Sequence, residues 1–472
     1  MRSILLGLLL AVIAVPAAHA RQSAPPQDDP AYLFLLGRHL EGLGKIDDAI
    51  AAHKKAIALD GNSAELRAEL AGLYARQDRA VESLEMAESA LERDASNQEA
   101  NRILGSIYAA YAGERQPIRP GDNVSQYAAK AIAALEKARQ GGQDVAVEAS
   151  LGRLYVQTGA YDKAVPVLQR VVANQPEFAE GAILLAAAQE GAGRIDDAIQ
   201  TLERVLAENP TFYRGQLRIA ELYERQRRWT DAAAAFGRAH SLNPRASALA
   251  ARRAAALING GEPAEARDLL TQALSGAKEP LSEPMLLYLL AEAHRALGEI
   301  AEARSVAQRL LDANPEDERG LQVMSLILQE QGDHKEAERV LRQLIARDPL
   351  DANALNSLGY MFAERGERLS EAVELLQRAL KIDPDNPSYL DSLGWAYFQQ
   401  GRLDLADAPL TRAAETLKES SVVQEHLGDL RFKQQRYGDA VGAWERALAG
   451  DGQSIDRAKI EQKLRDARSR VK

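Results

Sequence analysis

The chain of 472 residues contains no cysteine, and aromatic residues make up only 5% of it. The absence of cysteine excludes disulfides, cysteine-bound zinc and a thiol nucleophile. It also removes the residue that would carry a lipid anchor, so we expect any exported form to be free of one. The shortage of aromatic residues, together with frequent alanine and leucine, suits close helix–helix contacts better than strands.

Motifs of catalysis are missing as well. The sequence has no GxSxG, no GxxxxGK[ST] and no HExxH, and its seven histidines show no metal-binding spacing. His426 lies beside Glu425 and near Asp429, but adjacent residues of a helix point apart, which favours an ordinary surface histidine. We therefore expect no enzyme activity, no cofactor and no metal. The seven are His19, His39, His53, His240, His294, His334 and His426.

The charge balance is acidic. There are 58 Lys and Arg against 68 Asp and Glu, a formal net charge of −10. Phosphate binding needs clustered basic residues, so nucleic acid is not the expected partner.

The first residues have the three parts of a secretory signal. Arg2 is followed by the apolar run 4–15 and by Ala18-His19-Ala20, a small-x-small cleavage site. The alternative is a buried first helix, because twelve residues are too short for a membrane span. We predict a signal peptide at 1–20, a disordered leader at 21–29, and a periplasmic or secreted protein without a membrane span.

What the chain has in abundance is a repeat. A small residue recurs at twelve places, and eight of the eleven intervals between them are 34 residues. A period of this length indicates stacked helix pairs and not one globular core. The twelve are Gly37, Ala71, Gly105, Gly152, Ala186, Ala220, Ala254, Ala291, Ser325, Gly359, Gly394 and Gly428.

Other positions keep the same phase. With Pro30 as position 1, the small residue is position 8, and position 20 is alanine in every repeat except the second, which has Ser83. Positions 8 and 20 are expected where the two helices of a repeat cross most closely, because a larger side chain would push them apart. Turns such as Gly44-Lys45-Ile46-Asp47 are expected to end the first helix with glycine and cap the second with aspartate.

This pattern resembles the tetratricopeptide repeat. Leu-Gly at positions 7 and 8 with Tyr at 11 is intact in Leu104-Gly105 with Tyr108, and in Leu393-Gly394 with Tyr397. The resemblance covers about residues 30–454. It implies an all-α fold, an α-solenoid in which about twelve helix pairs form a right-handed superhelix, followed by a C-terminal capping helix.

Breaks in the period suggest how the array is organised. We predict repeats 1–7 at 30–278, with an inserted loop near 112–127, and repeats 8–12 at 284–454. The insertion is either a functional face or a tolerated excursion. A helix at 455–472 has a basic face; it is either a cap on the last repeat or a docking tail for an anionic partner.

The family resemblance also indicates a binding face. In such superhelices the first helix of each repeat, helix A, lines the concave groove, so positions 2, 5, 9 and 12 would face a ligand. Trp395 with Asp391 and Phe398 could stack an extended peptide or a sugar and hold a basic side chain, or the two rings could instead pack against the adjacent helix. The predicted partner-binding groove residues are Asn353, Asn356, Tyr360, Asp391, Trp395, Phe398, Glu425, Asp429 and Phe432.

The last three repeats further resemble exported bacterial proteins of this family, including outer-membrane adaptors of a periplasmic protease. The resemblance implies a non-catalytic scaffold that binds a protein or peptide partner, such as an envelope protease or export complex. The alternative is a component of exopolysaccharide synthesis or export that contacts glycan. The Lys/Asn clamp by which related co-chaperones hold a carboxyl terminus is absent at positions 5 and 9.

Overall fold

A computed structural model describes residues 29–114, 116–140, 144–276, 283–452 and 455–471. The predicted signal peptide, residues 21–28 of the predicted leader and most of the break at 278–284 lie outside the described residues. Those predictions stay predictions.

Within the described ranges the structure consists of helices of 13 or 14 residues and one short 3-10 turn, Val124–Gln126, with no strand. None of these helices has the length and apolar character needed to cross a bilayer. The helices are α1 Pro30–Gly42, α2 Ile46–Leu59, α3 Ala64–Arg76, α4 Ala80–Arg93, α5 Gln98–Tyr111, α6 Tyr127–Arg139, α7 Val145–Gln157, α8 Tyr161–Asn174, α9 Ala179–Gly191, α10 Ile195–Glu208, α11 Tyr213–Arg225, α12 Trp229–Leu242, α13 Ser247–Asn259, α14 Pro263–Gly276, α15 Pro284–Ala296, α16 Ile300–Ala313, α17 Glu318–Glu330, α18 His334–Arg347, α19 Ala352–Glu364, α20 Leu369–Ile382, α21 Pro387–Gln399, α22 Leu403–Thr416, α23 Ser421–Lys433, α24 Tyr437–Ala449 and α25 Arg457–Arg470.

Consecutive helices from α1 to α10, and from α12 to α25, pack against one another. The predicted all-α solenoid class is therefore confirmed. The chain divides into two compact units between Arg218 and Ile219, inside α11. The candidate site described below lies wholly in the second unit.

The close crossing of each pair explains the small residues. Every residue at position 8 is buried, and every residue at position 20 is fully buried. A Cβ on Gly105 would lie 2.6 Å from Leu135 Cγ, which is closer than atoms can pack. The exceptional Ser83 fits because its hydroxyl donates to the carbonyl of Ala71, position 8 of the same repeat, at 2.7 Å. A buried hydroxyl thus keeps a partner.

The turn inside the first repeat shows one difference from expectation. Gly44 has φ of +73°, a left-handed conformation that favours glycine after a helix. Asp47, however, does not cap α2. The helix begins at Ile46 after Lys45, no side chain caps it, and Asp47 lies in its first turn. In that position its negative charge stabilises the helix by its interaction with the positive end of the helix dipole.

The connection between α5 and α6 is tied to the helices around it. Arg119 donates to Glu88 of α4 at 2.7 Å and to the Tyr108 hydroxyl of α5 at 3.2 Å. The fully buried Tyr127 receives the Ile118 N–H at 2.8 Å. These contacts fix the backbone of the inserted segment against α4, α5 and α6.

Candidate partner-binding site

The nine predicted groove residues lie on three helices, α19, α21 and α23. Side-chain caps start the first two: Asp351 accepts the Ala354 N–H at 3.0 Å, and Asn386 accepts the Ser388 N–H at 3.1 Å. Because residues three or four apart share a helix face, each helix presents its three predicted residues together. The structure separates eight of these nine into an inner cluster and a covered group. The inner cluster consists of Asn356, Tyr360, Asp391, Trp395 and Phe398, together with His426.

A buried acid–base pair forms the centre of the inner cluster. His426 Nδ1 donates to both carboxylate oxygens of Asp391, each at 3.0 Å, and the two residues are 6% and 5% exposed. Burial opposes the charged imidazole, but Asp391, supported by Asp429 and Glu425, outweighs it and raises the pKa of His426 above its usual 6.5. The pair therefore joins α21 to α23, and the raised pKa of His426 favours its ion-pair form.

This pair corrects the prediction for His426, which is not an ordinary surface histidine. Adjacent residues within one helix do point apart, but the partner of His426 lies 35 residues away in the preceding repeat. The repeat period could have indicated this contact, because position 5 of one repeat and position 6 of the next lie on adjacent A helices. Asp391 is consequently bonded within the protein.

Three rings surround the pair. Trp395 stacks on His426 with ring centroids 4.0 Å apart and planes inclined by 14°, and it stacks on Phe398 at 4.9 Å and 12°. The Tyr360 ring lies 6.5 Å from His426. A charged imidazole against an indole face is an attractive cation–π arrangement. Much of the Trp395 stacking surface is thus used by protein rings, and a ligand would meet mainly the ring edge.

Two polar atoms of the inner cluster have no hydrogen-bond partner among the described residues. They are Trp395 Nε1, a donor, and Asn356 Oδ1, an acceptor, and both are shielded from solvent. Buried polar groups are nearly always paired, so each unpaired one calls for an explanation. An acceptor at the indole N–H and a donor at the amide oxygen would satisfy them.

The covered group consists of Glu425, Asp429 and Phe432. Lys463 of α25 donates to Glu425 at 2.8 Å and to Asp429 at 2.7 Å. The Arg470 guanidinium lies over the Phe432 ring, 5.2 Å from its centroid. These three residues are therefore in contact with the C-terminal helix of the same chain.

The remaining predicted residue, Asn353, has an exposed side chain that accepts a hydrogen bond from the Tyr389 hydroxyl at 2.7 Å. This contact links α19 to α21 at their N-terminal ends. Nothing tests the binding role of the nine residues, and it stays a prediction.

Metal-binding clusters are not found in the described ranges: no three His, Asp or Glu side chains there are placed to hold an ion. The groups that α19, α21 and α23 offer to a partner are therefore aromatic rings and hydrogen-bonding side chains.

Comparison with known proteins agrees with this architecture. One tetratricopeptide repeat family pattern matches residues 34–100, 149–211 and 324–387, and a second matches 190–251 and 261–327. Together they cover more than half of the chain. The chain belongs to the tetratricopeptide repeat family. It is a repeat protein of the kind that serves as a scaffold for protein–protein interaction, on a fold that is typically non-catalytic.

Two curated relatives are similar over part of their length. A TPR repeat-containing protein of Pseudomonas aeruginosa is 32% identical over 179 residues, 38% of this chain and 30% of that protein. Cellulose synthase operon protein C of Xanthomonas axonopodis pv. citri is 32% identical over 331 residues, 68% of this chain and 19% of that protein. The matched regions thus span less than a third of either relative.

Solved structures of the same fold class are more distant in sequence. A tetratricopeptide repeat protein from Parabacteroides merdae is 17% identical, with a TM-score of 0.43 over 54% of this chain and 98% of that one. Yeast Tom70 is 14% identical, with a TM-score of 0.44 over 93% of this chain and 95% of that one.

Proposed function

We propose that this protein is an exported, non-catalytic adaptor of the bacterial cell envelope that binds a protein partner along α19, α21 and α23. The observation that carries the proposal is the inner cluster, with its two unpaired polar atoms and its three rings. Rigid aromatic side chains beside hydrogen-bonding groups are typical of binding hot spots.

The chemistry of the cluster favours a peptide. Each residue of an extended chain offers one N–H donor and one C=O acceptor. Once a side-chain shift uncovers these two shielded atoms, a partner N–H can donate to Asn356 Oδ1 and a partner carbonyl can accept from Trp395 Nε1. Tyr360 and Phe398, both partly exposed, supply apolar contact on the same two helices.

The decisive experiment is binding to a matched pair of variants. Affinity capture from a periplasmic fraction identifies the partner, and the purified partner is then titrated against each variant. We expect Trp395→Ala to weaken binding at least about tenfold, as for an anchor side chain. Trp229→Ala is the control, because it removes a partly exposed tryptophan from α12, away from the cluster. Equal affinity of the two variants would contradict the proposal.

The envelope location rests on the sequence of the N-terminal residues. The apolar run 4–15 and the Ala18-His19-Ala20 site support export. N-terminal sequencing of the protein recovered from a periplasmic extract is expected to begin at Arg21. Recovery of the unprocessed chain from the cytoplasm would refute export without touching the binding role.

A second candidate function is a role in exopolysaccharide synthesis or export. It is favoured by the similarity to cellulose synthase operon protein C, which extends over 68% of this chain. In this case the partner is a protein of the polysaccharide machinery or the glycan itself. Retardation of the protein in gels that contain soluble β-glucan, lost in Trp395→Ala and kept in Trp229→Ala, would favour the glycan over a peptide.

A further inference from the structure

The C-terminal helix α25 packs on the last repeat through a small apolar stripe. Three of its residues are buried, Ile460, Leu464 and Ala467. They form one cluster with Ala440, Trp444 and Ala447 of α24. The rest of the helix is exposed and strongly charged, apart from the half-buried Lys463. Docking of α25 therefore depends on this stripe and on that lysine, with outer contacts of Arg457, Arg468 and Arg470 to α23 and α24.

Lys463 makes the polar part of the contact. Its ammonium group lies within 2.8 Å of Glu425 and within 2.7 Å of both carboxylate oxygens of Asp429. Burial opposes the charge, but the two carboxylates outweigh it and raise the pKa of Lys463. Asp429 in turn accepts from Trp444 Nε1 at 3.0 Å, which couples the acidic and apolar halves of the surface. We name Glu425, Asp429, Phe432 and Trp444 the acceptor face.

The position of Lys463 matches the repeat. Tyr360, Trp395 and Asp429 occupy position 9 of the last three repeats, and Lys463 follows Asp429 after 34 residues. The helix α25 thus takes the place of a thirteenth helix A. Its lysine lies in the same series as the predicted groove residues and engages two of them.

The backbone before α25 is anchored independently of it. Asp451 N–H donates to the Glu419 carbonyl at 2.9 Å, and Gly452 N–H donates to the Ser421 hydroxyl at 2.8 Å. These bonds hold the end of α24 against the start of α23. Removal of α25 from the acceptor face leaves them in place.

We propose that the acceptor face is a docking site for a basic amphipathic helix, that α25 is its occupant in the free protein, and that a partner helix of the same pattern replaces α25. The pattern is a lysine flanked by aliphatic residues three positions before it and one after it, as Ile460 and Leu464 flank Lys463. The proposal rests on the proposed function, because it adds a helix-binding surface on α23 and α24 to the surface that the inner cluster offers to an extended segment of the partner.

The test uses a fluorescent peptide of residues 455–471 and the full chain. In the double variant Ile460→Asp, Leu464→Asp the chain's own helix cannot dock, so we expect the peptide to bind at least about tenfold more tightly than to the wild-type chain. A peptide with Lys463→Glu is expected to bind the same variant at least about tenfold more weakly than the native peptide. As a control, the chain with Lys459→Ala and Arg465→Ala, both on the exposed side of α25, should behave as the wild type.

Three results would overturn the proposal. Equal peptide binding to the wild-type chain and the double variant would show that α25 does not occupy the site, and no binding to either would show that the face is no docking site. Loss of helix beyond the 14 residues of α25 in the circular dichroism of the double variant would show that α25 is an integral part of the array. The proposed function fails separately, because partner capture that depends on Trp395 is measured without the peptide.

Discussion

Replacement of Gly428 by alanine tests the packing on which the candidate site depends. Gly428 is position 8 of the last repeat, on α23, and it faces the indole of Trp444 on α24. A Cβ built on it would overlap that ring, with Cε2 2.9 Å away. Trp444 is 1% exposed and donates to Asp429, so the ring has little room to retreat.

The expected cost follows from these contacts. Overpacking of a core costs about 1–3 kcal/mol, and strain on the bond from Trp444 to Asp429 adds up to about 1.5 kcal/mol. Because alanine has the higher helix propensity, its replacement of a helical glycine stabilises the fold by about 1 kcal/mol. We therefore expect Gly428→Ala to lower the free energy of unfolding by up to about 3.5 kcal/mol.

The assay is urea unfolding followed by circular dichroism and by tryptophan fluorescence. The matched control is Gly442→Ala on α24, where the nearest atom to a new Cβ is Arg446 Nη1 at an ordinary 3.6 Å. That variant is expected to gain up to about 1 kcal/mol, because alanine favours the helix. If Gly428→Ala raised the midpoint as Gly442→Ala does, the close crossing would not be what selects small residues at position 8.

Three further predictions concern charge. As the pH rises from about 6.5 through the raised pKa of His426, the wild-type chain should lose stability, because the ion pair with Asp391 is lost when the imidazole deprotonates. In urea midpoints measured across this range, Asp391→Asn should abolish the loss. Burial lowers the pKa of His53, so its neutral ring stabilises the fold above about pH 6.5 and that stability is lost as the pH falls through the lowered pKa. His53→Phe should flatten the acid side of the plot of urea midpoint against pH. An unchanged slope would show that His53 does not cause the loss of stability at low pH. Arg119→Ala should speed hydrogen exchange at residues 116–122 by removing the ion pair to Glu88, and unchanged exchange would mean that this pair does not hold the loop.

The repeat fold could be predicted because its determinants are local and recurrent. A small residue at position 8 and alanine at position 20 have one physical reason, the crossing of two helices, and the period repeats it twelve times. Even the exception is consistent, since the Ser83 hydroxyl finds the carbonyl of Ala71. The N-terminal end of α2 was harder, because Asp47 is favourable both as a cap and in a first turn.

The sequence predicted on which helices the candidate site residues lie, but it did not predict the side chains that they contact. The nine residues were placed correctly on three A helices, yet their partners come from neighbouring repeats. The bond from His426 to Asp391 spans 35 residues, and the bond from Lys463 to Asp429 spans 34. A pattern within one helix carries no information about either pair. Comparison of adjacent repeats, position by position, would have revealed both.

The place that α25 takes has a consequence for how this protein can change size. Because this helix stands where the first helix of another unit would stand, duplication of a 34-residue segment before residue 455 leaves the same neighbours on both sides of the junction. Lengthened versions of the chain can therefore keep α25 and its contacts unaltered.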